Sequence, residues 1–426
     1  MLRVRCKLWT AARCIGWTKG SNMTGSHSLR AALALAVLLC GCATQSPPER
    51  GLSSAGLARI EKAVSADVDR GRIPGVVMMV QRDGRLVYSK TIGKQDPASG
   101  APMQEDSIFR IYSMTKPIVS VGLMMLVEEG RVTLSDPVAK YIPELKDLKV
   151  GVEKDGKLDI VAAQRQPTVH DLMRHTSGFT YGVFGKSMVK DLYAKAGVDS
   201  DEHSNAELVA KLATVPLMYQ PGTTWEYGRS TDVLGHVIER ATGQPLDAYL
   251  QARILGPLGM KDTGFFAEPA QQSRIAEAFA TDPDSKASVR LLNVRQKPKY
   301  LAGGQGLVST AADYMRFAQM LLNGGELGGV RILSRKTVDF MASDHLGAIR
   351  GPSPGYGFGL GFAVRLVNGL SAVNGNTGDY NWAGYGGTYF WIDPKERLVA
   401  VWMMQAPNQR NYYRELYRNM VYGALD

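Results

Sequence analysis

The chain has 426 residues, 45% of them hydrophobic, with 50 lysines and arginines against 40 aspartates and glutamates. That length and apolar content fill a sizeable core, as one large domain or two interlocked ones, and exclude a disordered or fibrous protein. Six basic residues (Arg3, Arg5, Lys7, Arg13, Lys19, Arg30) fall in the first 42 positions, where no acidic residue occurs. The remainder is near charge balance with no basic stripe interleaved with aromatics, which excludes a nucleic-acid partner.

Ala31 to Cys40 form an apolar run behind Arg30, too short to span a bilayer and of the length of a signal-peptide core. Residues 1–42 therefore read as an export leader, and Met23 would open a conventional short signal, so residues 1–22 read as a misassigned start. Leu39-Cys40-Gly41-Cys42 is similar to the lipobox of bacterial lipoproteins, with Cys40 an unusual occupant of its position. The resemblance implies a lipid anchor at Cys42 as the only membrane contact, and a place in the periplasm or on the cell envelope. All four cysteines (Cys6, Cys14, Cys40, Cys42) lie in this leader, which leaves the rest of the chain no thiol for a disulfide, a zinc site or a nucleophile. No His-Glu-x-x-His cluster occurs, so no metal and no cofactor is expected.

Residues 43–52 are a polar, proline-bearing linker. Leu57, Ile60, Val64 and Val68 then recur at helical spacing. Val76 to Val80 and Arg85 to Ser89 flank Asp83-Gly84, which supplies the positive φ of a tight hairpin. From about residue 120 to 295 the signals are mostly helical: Thr168 to Arg174, Asn205 to Ala213, Asp232 to Ala241 and Leu246 to Leu255. Tyr356, Phe358, Leu360 and Phe362 alternate with glycines, which predicts a strand whose bare face admits a closely packed helix. Thr388 to Ile392 and Leu398 to Gln405 bracket a turn at Asp393-Pro394-Lys395-Glu396, and Tyr412 to Tyr422 closes the chain as a helix. The expected class is α+β: an antiparallel sheet built from both termini and flanked by terminal helices, with an inserted all-helical domain. The expected boundaries are 53–120 with 296–426 for the α/β domain and 121–295 for the helical one.

The chemistry centres on Ser113-Met114-Thr115-Lys116-Pro117, followed by a run apolar almost all round from Ile118 to Val127, as in a buried helix. Pro117 is tolerated only in a helix's first turn, which puts Ser113 at the helix N-terminus. Lys116, three residues on, shares its face. Burial and the helix dipole both disfavour its ammonium, and a neutral amine can take the serine proton, so the pair is a credible nucleophile and base. A second Ser-x-x-Lys, Ser187 to Lys190, has no buried helix behind it and reads as a chance match. Tyr227, in Trp225-Glu226-Tyr227-Gly228-Arg229-Ser230, precedes another helix. Asn381-Trp382-Ala383-Gly384-Tyr385-Gly386-Gly387-Thr388 leads into the last hairpin, where small residues at an edge strand let a substrate carbonyl approach the backbone.

Together these segments resemble the family VIII carboxylesterases, which share the fold of class C β-lactamases and penicillin-binding proteins. Leu172 to Gly178, Gln220-Pro221-Gly222 and Gly303 to Thr310 also look like that family, and the motifs occur in order across nearly all of the chain after the leader. The resemblance implies a short-chain ester hydrolase in which Ser113 is acylated and Lys116 with Tyr227 shares proton transfer, the ammonium of one stabilising the phenolate of the other, the base being left open. It implies an oxyanion site at the backbone N–H groups of Ser113 and Tyr385, with Trp382, Gly384 and Arg229 beside the substrate. Class C β-lactamases keep a lysine where Trp382 stands, and the loss of that cation favours neutral esters over β-lactams. Ala383 stands where family members usually have glycine. Arg229 restores part of the charge, which leaves weak cephalosporin hydrolysis open. A class C-like β-lactamase, a D-alanyl-D-alanine carboxypeptidase and a non-catalytic penicillin-recognising protein are the alternatives.

A histidine triad through His170, His175 and Ser177 is disfavoured, because no Gly-x-Ser-x-Gly elbow occurs and His175 suits a helix C-terminus. Tyr181 and Phe184, beside loop glycines, are either lining of an acyl pocket or simple anchors.

Overall fold

Val76 to Val80 leave no polar face on their strand, and the structure gives each face a layer against which to bury. The computed structural model describes residues 51–425. The leader, the start at Met23, the Cys42 anchor and most of the linker lie outside them. Helix α1 (Ser54–Asp69) leads into strands β1 (Gly75–Arg82), β2 (Arg85–Asp96), β3 (Ala101–Pro102) and β4 (Phe109–Arg110), then helix α2 (Thr115–Glu128). Strands β5 (Lys149–Lys154) and β6 (Lys157–Ala162) precede helices α3 (Val169–Met173), α4 (Met188–Lys195), α5 (Asn205–Leu212), α6 (Ser230–Thr242) and α7 (Leu246–Leu250). The chain then forms β7 (Val308–Ser309), α8 (Ala311–Leu322), β8 (Glu326–Leu327), β9 (Val330–Arg331), α9 (Arg335–Met341), β10 (Tyr356–Phe358) and β11 (Ala363–Arg365). It ends with β12 (Tyr380–Ala383), β13 (Tyr389–Asp393), β14 (Leu398–Met404) and α10 (Arg410–Tyr422).

The main sheet has eight strands in the order β10-β11-β12-β13-β14-β1-β2-β3. Its pairings are antiparallel, and β1 meets β14 from Val76 opposite Met404 to Arg82 opposite Leu398, so the two ends of the chain are joined at its centre. Alternation along β1 sends Val76, Met78 and Val80 to a layer containing Ile60 and Val64 of α1 and Tyr413, Tyr417 and Val421 of α10. Val77 and Met79 face the other core, which includes Ile118 of α2 and Tyr314 and Phe317 of α8. The β1–β2 turn takes positive φ at Asp83 (52°) and Gly84 (76°), as the dipeptide predicts. With helices α2 to α7 between the terminal strands, the chain is α+β.

Local chemistry accounts for the helix limits. Thr168 with Asp171, and Ser204 with Glu207, form capping boxes at the starts of α3 and α5. Gly243, at φ 73°, ends α6. Two expectations need correction. A β-hairpin, β5–β6, stands in the stretch read as mostly helical, turning at Asp155-Gly156 with positive φ at both residues. Ser187 has only the part-exposed helix α4 behind it, as the sequence suggests: its hydroxyl accepts from Lys190 N–H as the N-cap, while Lys190 Nζ turns away to the Phe184 carbonyl. The glycine-rich strand is a short hairpin, β10–β11, in which Gly361 (φ 104°) turns against α2, where a Cβ would collide with Ser120.

Trp402 is fully buried and stacks on Tyr413 at 5.5 Å between the sheet and α10. Trp402→Ala is expected to cost about 3–5 kcal/mol of stability in urea unfolding; a change within experimental error would contradict this placement of the core.

Candidate active site

Ser113 is presented by a strained turn at the head of a buried helix. Leaving β4, Ile111 N–H donates to the Leu307 carbonyl at 3.0 Å, and Tyr112 takes a positive φ of 43°, rare for a bulky residue. Its hydroxyl accepts from Leu292 N–H at 3.0 Å. Tyr112–Met114 form a 3₁₀ turn that runs into α2, with Pro117 in its first turn as the register predicts. Lys116 is completely buried, and Nζ uses three donors at once: to the Gly304 carbonyl at 2.8 Å, to Ser113 Oγ at 3.2 Å and to the Tyr181 hydroxyl at 3.2 Å.

Between the neutral amine that burial suggests and the ammonium that the resemblance implies, this setting favours the ammonium. Burial pulls the Lys116 pKa down, but Tyr181, Tyr227 and Asp232 together outweigh it, and the net displacement is upward from the ordinary lysine value. Lys116 Nζ lies 4.5 Å over the ring centroid of Tyr227, which sits just ahead of α6 among Trp225, Tyr181, Trp382 and His175. His175 takes the left-handed conformation after α3 (φ 58°), is fully buried, and is held well below the usual histidine range by burial and Lys116. His170 bonds instead to His345 at 2.9 Å, and Ser177 to Ser230 at 2.8 Å, so these residues assemble no triad.

The β12 segment closes the site from the sheet side. Trp382 packs its ring on Tyr227 and Phe358 at 5.4 and 5.2 Å. Gly384 is small for a reason beyond the one expected. Strand β12 lies between β11 and β13, its pairing with β11 ends at Asn381, and a Cβ on Gly384 would strike the carbonyl of Ile111. This close approach carries Tyr385 to Tyr112, ring to ring at 5.5 Å, beside Ser113.

Arg229 also departs from expectation. It lines the cavity, but its guanidinium is buried, 2.8 Å from Asp199 and 3.6 Å from Asp232, and it lies over the Tyr181 ring. Its charge is matched within the protein and offers little to a substrate. Sequence reasoning missed Tyr181 as a partner of Lys116, because the two are 65 positions apart and only the loop glycines around Tyr181 marked it. It also missed Arg410 and Arg414 of α10, which line the same cavity of about 1230 Å³ together with Ser113, Tyr227, Trp382 and Tyr385.

The beta-lactamase family profile matches residues 60–423. An uncharacterized protein of Mycobacterium tuberculosis (strain CDC 1551 / Oshkosh) is 35% identical over 353 residues, covering 79% of this chain and 87% of that one. Esterase EstB of Burkholderia gladioli is 32% identical over 374 residues, covering 82% of this chain and 91% of that one. Among solved structures, EstCE1, described as a hydrolase with promiscuous acyltransferase activity, superposes with a TM-score of 0.73 at 25% identity, covering 87% of this chain and 99% of that one. The chain belongs to the beta-lactamase family and is, within it, a serine hydrolase of the family VIII carboxylesterase kind.

Arg229→Met would leave Asp199 and Asp232 without their cation, at an expected cost of about 3–5 kcal/mol in chemical unfolding. A variant of unchanged stability with only a raised KM would instead make Arg229 a substrate contact.

Proposed function

We propose that the enzyme hydrolyses short-chain acyl esters through an acyl-enzyme on Ser113. The observation that carries this reading is the 3.2 Å hydrogen bond from the buried Lys116 Nζ to Ser113 Oγ, with Ser113 lining a large cavity. Ser113 Oγ attacks the ester carbonyl carbon, its proton passes to a Tyr227 phenolate paired with the Lys116 ammonium, and Tyr227 then gives the proton to the departing alkoxide. Backbone N–H groups of Ser113 and Tyr385 hold the oxyanion, each donor worth about 3 kcal/mol. Water, activated by the same tyrosine, attacks the acyl-enzyme and releases the acid. Tyr181, Tyr227 and Trp382 crowd the space beside Ser113 and suit a small acyl group, while the rest of the cavity, lined in part by the exposed Val183, Phe184 and Leu370, has room for the alcohol. The esterase relative supports an ester as the substrate. The leader supports export to the bacterial periplasm with a lipid anchor at Cys42, and the near-neutral remainder supports a small-molecule partner, not a nucleic acid.

A second reading, hydrolysis of β-lactams or peptidoglycan peptides, is favoured by a different observation. The cation absent at Trp382 has counterparts on α10. Arg414 donates to the Gly384 carbonyl at 2.5 Å, its Nε has no hydrogen-bond partner, and burial together with Arg410 pushes its guanidinium down to about 10. Arg410 lies 4.9 Å over the Tyr385 ring. A substrate carboxylate would find these guanidiniums beside the oxyanion site.

One panel separates the readings. Wild type is expected to turn over p-nitrophenyl acetate and butyrate far faster than nitrocefin, and Ser113→Ala to lose roughly a thousandfold or more of the ester activity. Inert esters, or a fully active Ser113→Ala, would refute the esterase reading, and nitrocefin turnover equal to ester turnover would promote the second.

A further inference from the structure

Behind Lys116, and out of contact with it, lies a carboxylate for which the reaction has no direct use. Asp232 is the third residue of α6, and its side chain is wholly excluded from solvent. Its Oδ1 accepts from the Tyr300 hydroxyl at 2.7 Å and from Gly304 N–H at 3.0 Å. The carbonyl of that same Gly304 accepts from Lys116 Nζ at 2.8 Å. One residue thus spans the two charges, N–H on the carboxylate and C=O on the ammonium, an arrangement in which each hydrogen bond polarises the next.

The local sequence is built to keep the two charges this close. A Cβ on Gly304 would stand 2.7 Å from Asp232 Oδ2, and one on Gly303 would meet the Thr231 carbonyl at 2.5 Å, so the Gly303-Gly304 pair lets the loop lie directly on the first turn of α6. Nor is Asp232 fully engaged by Arg229. That guanidinium makes its 2.8 Å contact with Asp199, approaches Asp232 Oδ2 only to 3.6 Å, and leaves Oδ2 without a hydrogen bond. A buried carboxylate with one oxygen unpartnered is costly to maintain, and its field reaches well beyond its contacts in a low-dielectric interior.

We propose that Asp232 is a positioning residue that holds Lys116 in the ammonium form, acting through Gly304 and through its field. It thereby makes Lys116 the hydrogen-bond donor to Ser113 Oγ and the Tyr181 hydroxyl and leaves the serine proton to Tyr227. This rests on reading Ser113 and Lys116 as the reacting pair. The other titratable groups facing Lys116 are Tyr181, Tyr227 and His175; burial pushes the Tyr181 hydroxyl up and His175 down, so both are neutral in the resting enzyme. Asp232 is the carboxylate among the groups that act on Lys116. Around Asp232 stand Arg229 and Tyr300, with His203, held down to about 4, and Asp201 further out.

The test is a ¹³C NMR titration of the Lys116 Cε signal in the lysine-labelled protein, assigned by its loss in Lys116→Arg. In wild type the side chain is expected to remain an ammonium at pH 10.5, the ordinary lysine value, and in Asp232→Asn to lose its proton at a distinctly lower pH than in wild type. Asp232→Glu should retain the charge. The pH profile of kcat/KM should follow, with Asp232→Asn acquiring a descending alkaline limb that wild type lacks, and with the loss carried by kcat at near-constant KM. Identical Lys116 titrations in wild type and Asp232→Asn would overturn the proposal, as would a uniform loss of activity with no change in the profile. If Asp232→Asn fails to fold, the wild-type titration decides: an amine already neutral below pH 10.5 overturns the proposal, and one still charged supports it. Because the NMR arm needs no turnover, it can fail while the ester assays succeed, or the reverse.

Discussion

A lysine ammonium with no access to water must have every donor accepted, and the active site is organised around that requirement. The three acceptors of Lys116 come from the turn before α2 (Ser113), the loop after α3 (Tyr181) and the glycine loop before β7 (Gly304). An unpaired buried charge costs several kcal/mol, so the amine is stable only when all three segments are docked together. The orientation of Ser113 is therefore a consequence of completing the fold, since the same hydrogen bonds that satisfy Lys116 aim Ser113 Oγ.

Rigidity around this point comes from close packing. Helix α2 is buried from Thr115 to Leu126 and meets the sheet hairpin at Gly361, where no side chain would fit. On the other side Gly384 presses against the Ile111 carbonyl, which ties the end of β12 to the turn that presents Ser113. The aromatic rings of Trp225, Tyr227, Trp382 and Phe358 fill the space between, leaning on one another at 5.2 to 6.0 Å. Small residues set the distances, and large flat ones hold them.

Much of this was legible in the sequence wherever the cause was local. Asp83-Gly84 dictates its hairpin, Pro117 fixes the helix register, and the i,i+3 spacing puts Lys116 beside Ser113. The β5–β6 hairpin carried the same Asp-Gly signal at Asp155-Gly156 and was passed over within a helical stretch. Long-range causes were not legible. Nothing near Lys116 in the chain announces Tyr181 or Asp232, so a local argument from burial and the helix dipole leaves out the groups that favour its ammonium. Arg229 looked available to a substrate because Asp199, thirty positions away, was not yet beside it. The pressure of Gly384 on the Ile111 carbonyl was not legible, because it depends on a close approach that no segment reveals alone.

The central claim is that Ser113, and no other serine, is the nucleophile that Lys116 and its tyrosines prepare. Covalent labelling with a fluorophosphonate probe, mapped by peptide mass spectrometry, tests it most directly. The account predicts one adduct, on the peptide carrying Ser113, abolished in Ser113→Ala and unaffected in Ser187→Ala. No adduct on the folded protein, or an adduct on Ser187 or another residue, would contradict it.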